Sequence, residues 1–156
     1  MKKNPIGTII VLIAYIFMIL GMFLPIYRVD SDELNVHMTV SIFYSEEVSI
    51  VAVILMILGG LAILFALIGK KIPVLIFCIL ASVGMLILYF IHWVSQNTLE
   101  KVGAIVEKGF GNTFALIGAI VMLLAGGIYF ITTKIEKKEK IAQAERDTDS
   151  EEEVEA

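Results

Sequence analysis

The sequence predicts an all-α membrane protein: a four-helix antiparallel transmembrane bundle with an extracellular β-hairpin in the first loop and a short interfacial helix in the second external loop. Three observations predict it. Of 156 residues, 58% are hydrophobic and the mean hydropathy is +0.89, whereas a water-soluble domain is roughly 45–50% apolar. Four apolar runs, at about residues 7–26, 49–69, 73–94 and 113–133, reach the roughly 20 helical residues needed to cross about 30 Å of hydrocarbon. None of the runs contains Asp, Glu, Lys or Arg, and a charge at the bilayer centre costs roughly 2.5–3.5 kcal/mol.

The first run follows Lys2 and Lys3, as a secretory signal would. It is longer than the usual signal core, and Phe23-Leu24-Pro25-Ile26-Tyr27 offers no small-x-small cleavage site, so it is expected to stay as an anchor. Pro25 should end or bend that helix just before the loop.

The loop from Tyr27 to Val48 alternates strictly, with Leu34, Val36, Met38, Val40, Ile42 and Tyr44 on one side and Asn35, His37, Thr39 and Ser41 between them. Period two means a strand with one apolar face. Asp30-Ser31-Asp32-Glu33 reads as a turn, so residues 26–29 should pair back as a hairpin. A lone hairpin is marginal in water and needs a support, most simply the external helix ends. Leu34, Val36, His37, Met38, Val40, Ile42 and Tyr44 are therefore the candidate partner-binding residues, because a strand edge invites addition of another strand.

The second and third spans are joined only by Gly69 to Ile72, with Pro73 suited to a first helical position, which makes them an antiparallel hairpin. In the loop that follows, Asn97 and Glu100 form a capping pattern ahead of a Leu99, Val102 and Val106 stripe, which predicts a short helix on the membrane surface. Gly109-Phe110-Gly111-Asn112 should break it, with Asn112 or Thr113 capping the fourth span by plain turn chemistry. The tail from Lys134 extends the last helix, aided by Glu136 and Lys140 at i,i+4, and its acidic end from Asp147 to Glu155 is expected to be disordered.

Small residues let helices approach closely where lipid gives no hydrophobic drive to associate. Gly59, Gly60, Gly84, Gly118, Gly126 and Gly127, with the pairs Ala62/Ala66 and Ala115/Ala119, are the candidate packing positions, within one bundle or along a homo-oligomer seam. Tyr27, Tyr89, Trp93 and Tyr129 fall near span ends and read as headgroup anchors, and His92 as an interfacial polar residue.

Lysine and arginine placement sets orientation. Nine of these residues lie at the termini and the 70–71 turn; Arg28, Lys101 and Lys108 lie on the other side, beside seven acids. Both termini are thus expected in the cytoplasm and the two loops outside, with a net charge of −4 on the external segments. Ten lysines to two arginines and abundant isoleucine hint at a bacterial plasma membrane.

The single cysteine, Cys78, forbids an internal disulfide, and His37 and His92 have no metal-ligand spacing. No cofactor, metal or nucleic-acid partner is expected. Catalysis needs positioned acids, bases or nucleophiles, which the spans do not offer. The leading expectation is a non-catalytic membrane interaction protein, an accessory subunit, assembly factor or immunity type acting through its external loops on lipids, another membrane or extracellular protein, or a second copy of itself. The alternative is an oligomeric small pore or a channel or transporter component.

Four spans, both termini inside and a β-structured first external loop resemble the claudin-type tetraspan arrangement. That family's Trp, Gly-Leu-Trp and two-cysteine signature is missing here, the only tryptophan being Trp93 and the only cysteine Cys78. The resemblance thus implies topology and not barrier function. Gly109-Phe110-Gly111 with Leu116-Ile117-Gly118 is similar to small four-span bacterial membrane proteins of unassigned activity, which implies no active residues.

Overall fold

The computed structural model describes residues 4–31, 36–44, 49–101 and 105–155, with the backbone alone for 30, 31, 36, 37 and 136–155. Four helices are long and apolar enough to cross a membrane.

Helix α1 (Pro5–Phe23) begins where its sequence supplies a cap. The Asn4 side-chain oxygen accepts from the Gly7 amide at 3.0 Å, and Pro5 occupies a first-turn position that has no use for an N–H. The helix ends at Phe23 rather than near residue 26, because a residue preceding proline is excluded from helical geometry and Leu24 is extended. Released from the helix, Ile26 and Tyr27 enter a sheet.

That sheet has three strands, ordered β2-β1-β3, formed by β1 (Tyr27–Ser31), β2 (Val36–Val40) and β3 (Ile105–Lys108). Both pairings are antiparallel, with Tyr27 opposite Val40 on one side and Lys108 on the other. The hairpin is therefore present, but its second strand stops at Val40, well short of Tyr44. The support is partly a third strand from the other loop, which satisfies the free edge of β1.

Helix α2 (Ser49–Ile68) closes in a Schellman turn. The Lys70 amide donates to the Phe65 carbonyl at 3.0 Å and the Gly69 amide to the Ala66 carbonyl at 3.1 Å, with Gly69 at φ 81°. Helix α3 (Lys71–Lys101) follows at once, so Pro73 is its third residue rather than its first.

No separate surface helix follows α3, because α3 itself runs on through the predicted start of that helix. Ser95-Gln96-Asn97-Thr98 contains neither glycine nor proline, and the Ser95 and Thr98 hydroxyls donate back to the Ile91 and Val94 carbonyls at 3.0 and 2.9 Å. Asn97 is thus interior and caps nothing. At about 1.5 Å per residue the 31-residue helix is about 46 Å long, more than the about 30 Å that crossing a hydrocarbon layer needs. Val106, read as helical, lies instead in β3 opposite Val29.

Helix α4 (Phe110–Glu155) starts at Phe110, so Asn112 and Thr113 lie inside its first turn and do not cap it. It continues past Lys134 as helical backbone to Glu155, beyond the point where the acidic composition predicts its end.

Each helix packs mainly on two others, in the cyclic order α1, α2, α3, α4. The centre is lined by Ala14, Ala52, Ala62, Ala66, Ala81, Ala115, Ala119 and Ala125 with Met18, Met22, Met85 and Met122, all fully buried. Isoleucines and leucines such as Ile9, Ile16, Ile57, Ile76, Ile87 and Leu124 face outward on all four helices. This segregation, small residues within and branched ones without, suits a bundle whose solvent is hydrocarbon.

Candidate functional site

The sheet is held to the bundle mainly by the main chain that leaves α1. The Ile26 amide donates to the Val40 carbonyl at 2.8 Å, and the Ile26 carbonyl accepts from the Gly109 amide at 2.7 Å. The Gly111 amide donates to the Pro25 carbonyl at 2.9 Å, and the Phe43 amide to the Met22 carbonyl at 3.1 Å. From α3, the Gln96 side-chain amide reaches the Ile26 carbonyl at 3.5 Å, a long contact. Pro25 and Ile26 thus join the end of α1 to the exits of both β2 and β3. A side chain at Gly109 would collide with the Pro25 carbonyl and one at Gly111 with the carbonyls of Leu24 and Pro25, which is why the chain has glycine there. Both glycine amides are engaged in this turn and neither is available to an anion.

Three polar side chains in and near the sheet's attachment are buried. His92 is 4% exposed, and Gln96 and Ser41 are also buried. The His92 Nδ1 lies 2.9 Å from the Leu88 carbonyl; a carbonyl can only accept, so Nδ1 carries the hydrogen. His92 is therefore a buried residue of the bundle, not an interfacial one. The Ser41 hydroxyl has no hydrogen-bond partner among the described residues. Tyr27 is likewise buried under the sheet, and burial raises its phenol pKa above the ordinary 10. It is not a headgroup anchor.

The predicted partner-binding residues do not share one face. Val40 is half-buried and packed on the core, and Ile42 is fully buried although it lies beyond the strand. Met38, at 57% exposure, and Tyr44, at 74%, point outward. Val36 and His37 take part in β2 by their backbone, pairing with Ser31 and Asp30, and Leu34 lies outside the described residues. Tyr44 belongs to an aromatic ledge over the end of α1, with Phe43 at 5.5 Å and Phe23 at 6.4 Å between ring centroids. Sequence reading missed this ledge because Phe23 and Phe43 are 20 positions apart.

The packing glycines also divide. Gly59 faces the Tyr15 ring, Gly84 faces Leu55, Gly118 the Met18 main chain and Gly126 the Cys78 side chain, whereas Gly60 has only a distant contact and Gly127 has nothing within 4 Å. Gly7 and Gly21, which carried no sequence signal, are as tightly faced by Tyr129 and Ala115.

Polar side chains within the bundle bond across helices. The Ser82 hydroxyl donates to the Ala119 carbonyl at 2.7 Å, and Tyr15 to the Met56 carbonyl at 2.9 Å. At the end opposite the sheet, the Tyr129 hydroxyl donates to the Ala66 carbonyl at 2.9 Å and the Asn4 side-chain amide to the Thr132 hydroxyl at 2.7 Å. Tyr129 is completely buried, so it fastens α4 to α2 rather than anchoring at the lipid surface. Trp93 is exposed beside Phe90, as a residue facing lipid would be.

No protein-family model matches this chain, and no curated protein does so either. Among the described residues no group of three or more His, Cys, Asp or Glu side chains is arranged to hold a metal ion. What remains distinctive is the sheet itself, built from two separate loops and held to the bundle through main-chain bonds at Met22, Pro25 and Ile26 and through Gln96 of α3.

Proposed function

We propose that this is a non-catalytic protein of the plasma membrane, with both termini in the cytoplasm, that binds another membrane or extracellular protein through the sheet it holds outside the bilayer. One observation carries the reading. Strands β2 and β3, which the sequence separates by more than 60 residues, join β1 in one sheet in which β2 is an edge strand. An edge strand offers a row of backbone groups to which a partner strand can add, with alternate side chains giving specificity. Met38 on β2 and Tyr44 in the ledge over the end of α1 add exposed side chains, of the aromatic and methionine type favoured in interface centres.

The engagement of the Tyr15, Ser82 and Tyr129 hydroxyls by carbonyls of neighbouring helices supports a fixed bundle over a hydrated path. The distribution of lysines supports the orientation. The claudin-type resemblance adds only the arrangement of spans and loop.

A photo-crosslinking residue placed at Met38, Thr39 or Tyr44 in intact membranes tests the reading. It should yield one discrete heterologous adduct, absent when the probe stands at lipid-facing Ile79. Adducts to lipid or to the same chain alone would sink the proposal, as would reporter tags at the two termini appearing on opposite sides of the membrane.

A further inference from the structure

At the end of the bundle opposite the sheet, Lys71, the first residue of α3, holds its Nζ over the Phe130 ring of α4, 5.4 Å from the ring centroid. Lys134 stands one turn further along α4 and is exposed. No acid faces the two lysines from the described side chains at this end, because every Asp and Glu of the chain lies in residues 30–47 and 100–107 or from Glu136 onward. Along the α4 backbone, at about 100° per residue, positions 136 and 139 come round about 120° or more from Phe130, whereas position 137 returns to within about 20° of it.

The same face continues into the apolar part of α4. At that angular step Leu123, Gly127, Phe130 and Lys134 fall in one stripe about 60° wide. It is the lipid flank of the α3–α4 seam. Gly126, on the inner side of the stripe, lies against Cys78 and Leu75 of α3, while Leu123 is 45% exposed and a Cβ at Gly127 would meet nothing within 4 Å. The glycine therefore leaves a notch that opens to hydrocarbon between Leu123 and Phe130. The 11 residues from Leu123 to Lys134 rise about 16 Å, about half of a 30 Å hydrocarbon core. Lys134 is also the last residue but one of the apolar span that ends at Ile135. The stripe thus has the length of one leaflet, with its cations at the headgroup level.

We propose that this stripe holds one anionic glycerophospholipid, its phosphate between Lys71 and Lys134 and one acyl chain along Phe130, Gly127 and Leu123. Two ammonium groups beside one phosphodiester supply charge-assisted hydrogen bonds, and basic pockets between membrane helices take anionic headgroups generally. The Phe130 ring holds the Lys71 cation at the site by cation–π attraction, so less freedom is lost when the phosphate arrives. The acyl chain fills the space that Gly127 leaves. A free phosphate would engage the lysines alone, and the leaflet-long groove below them is what commits the site to a lipid. This inference requires the four helices to span a bilayer, and is independent of the partner-binding reading of the sheet.

The test uses the full chain purified in a non-ionic detergent and equilibrated with mixed micelles containing equal phosphatidylglycerol and phosphatidylcholine. Native mass spectrometry then counts retained lipid. The wild type should keep one phosphatidylglycerol in preference to phosphatidylcholine. K71Q/K134Q should lower that retention on the order of tenfold, since each lysine near the surface contributes about fivefold to anionic lipid binding. K71R/K134R should retain the lipid at least as well as the wild type, which separates loss of charge from loss of fold. K101Q, whose lysine is at the other end of α3, should leave retention unchanged. Gly127→Val should lower it with no change of charge and no fall in the unfolding midpoint, because the new side chain enters the notch and meets no protein atom. Equal retention by K71Q/K134Q and wild type overturns the proposal, as does equal retention of the two lipids, a loss in K101Q matching that in K71Q/K134Q, or a loss in K71R/K134R. Retention by Gly127→Val equal to that of the wild type, with displacement of the lipid by millimolar inorganic phosphate, assigns the lysines to a free anion and overturns the lipid.

Discussion

Gly118 of α4 lies directly against the main chain of Met18 in α1: a Cβ at Gly118 would stand 2.8 Å from the Met18 Cα and 2.9 Å from its amide nitrogen. The obstacle is backbone, which does not move aside as a flexible side chain does. Three residues along, a little under one turn, the relation is reversed, with Gly21 of α1 set against the Ala115 main chain of α4 at 2.5 Å. The α1–α4 seam is therefore a reciprocal fit of glycine to backbone.

Replacing Gly118 by valine should force the two helices apart. Overpacking of this kind costs about 1–3 kcal/mol, and thermal unfolding in detergent should show a lowered midpoint. Gly127→Val is the comparison, because Gly127 has open space before it. That change should stay within about 0.5 kcal/mol of wild type. Equal destabilisation by the two would mean that the seam is misplaced.

The α2–α3 turn depends on backbone conformation alone. Gly69 holds φ at 81°, a value that costs an L-residue about 1–2 kcal/mol. Gly69→Ala should lose about that much stability, and Gly69→Asn less, since asparagine tolerates the left-handed region better. Identical losses for the two variants would show that the turn is not in this conformation.

These two sites mark what local rules make legible. Gly69 and Pro25 act on their immediate neighbours, so the sequence suffices to place a turn at one and a helix end before the other. The length and number of the apolar runs are legible for the same reason. Which face of each helix turns inward is not: the spans are apolar all round, so nothing local distinguishes Gly126, which faces Cys78, from its neighbour Gly127. Tyr129 and His92 were misread on that account, each being a polar-tipped residue near a span end that the bundle happens to enclose. β3 was missed because four residues carry too little periodicity, and its partner β1 lies far upstream. The extension of α3 runs against the capping pattern at Asn97 and Glu100 because no glycine or proline interrupts the helix from Trp93 to Lys101.

Hydrogen bonds between the helices should contribute modestly. Ser82→Ala removes the donor to the Ala119 carbonyl, and such bonds within membranes average about 0.6 kcal/mol with a maximum near about 1.7. The small-residue packing should outweigh it, so Ser82→Ala is expected to lower stability by less than Gly118→Val does. A larger loss for Ser82→Ala would reverse that ranking.

The continuity of α3 has a direct consequence for the sheet. Proline inside a helix costs about 3 kcal/mol or more, through a lost hydrogen bond and a clash with the preceding turn. Thr98→Pro would break α3 between Gln96, which reaches the Ile26 carbonyl, and the segment leading to β3. Hydrogen exchange should then speed up at the amides of Ile105–Lys108 and at their partners in β1, while the bundle amides stay protected. Unchanged exchange in β3 would mean that the sheet does not depend on this helical post.

Tyr27 makes the docking of the sheet sensitive to alkali. Burial raises its pKa above 10, so the folded state keeps its proton at a pH where the unfolded chain has lost it. The corresponding stability is complete below about pH 10 and is lost as pH climbs through the raised value, since the unfolded state then binds fewer protons. Phenolate absorbance should show a component titrating later than a free tyrosine that Tyr27→Phe removes. Hydrogen exchange in β1 should accelerate over the same pH interval in the wild type, and less in Tyr27→Phe, where no phenol has to ionise. A Tyr27→Phe titration that superimposes on the wild type would place this side chain in water rather than under the sheet.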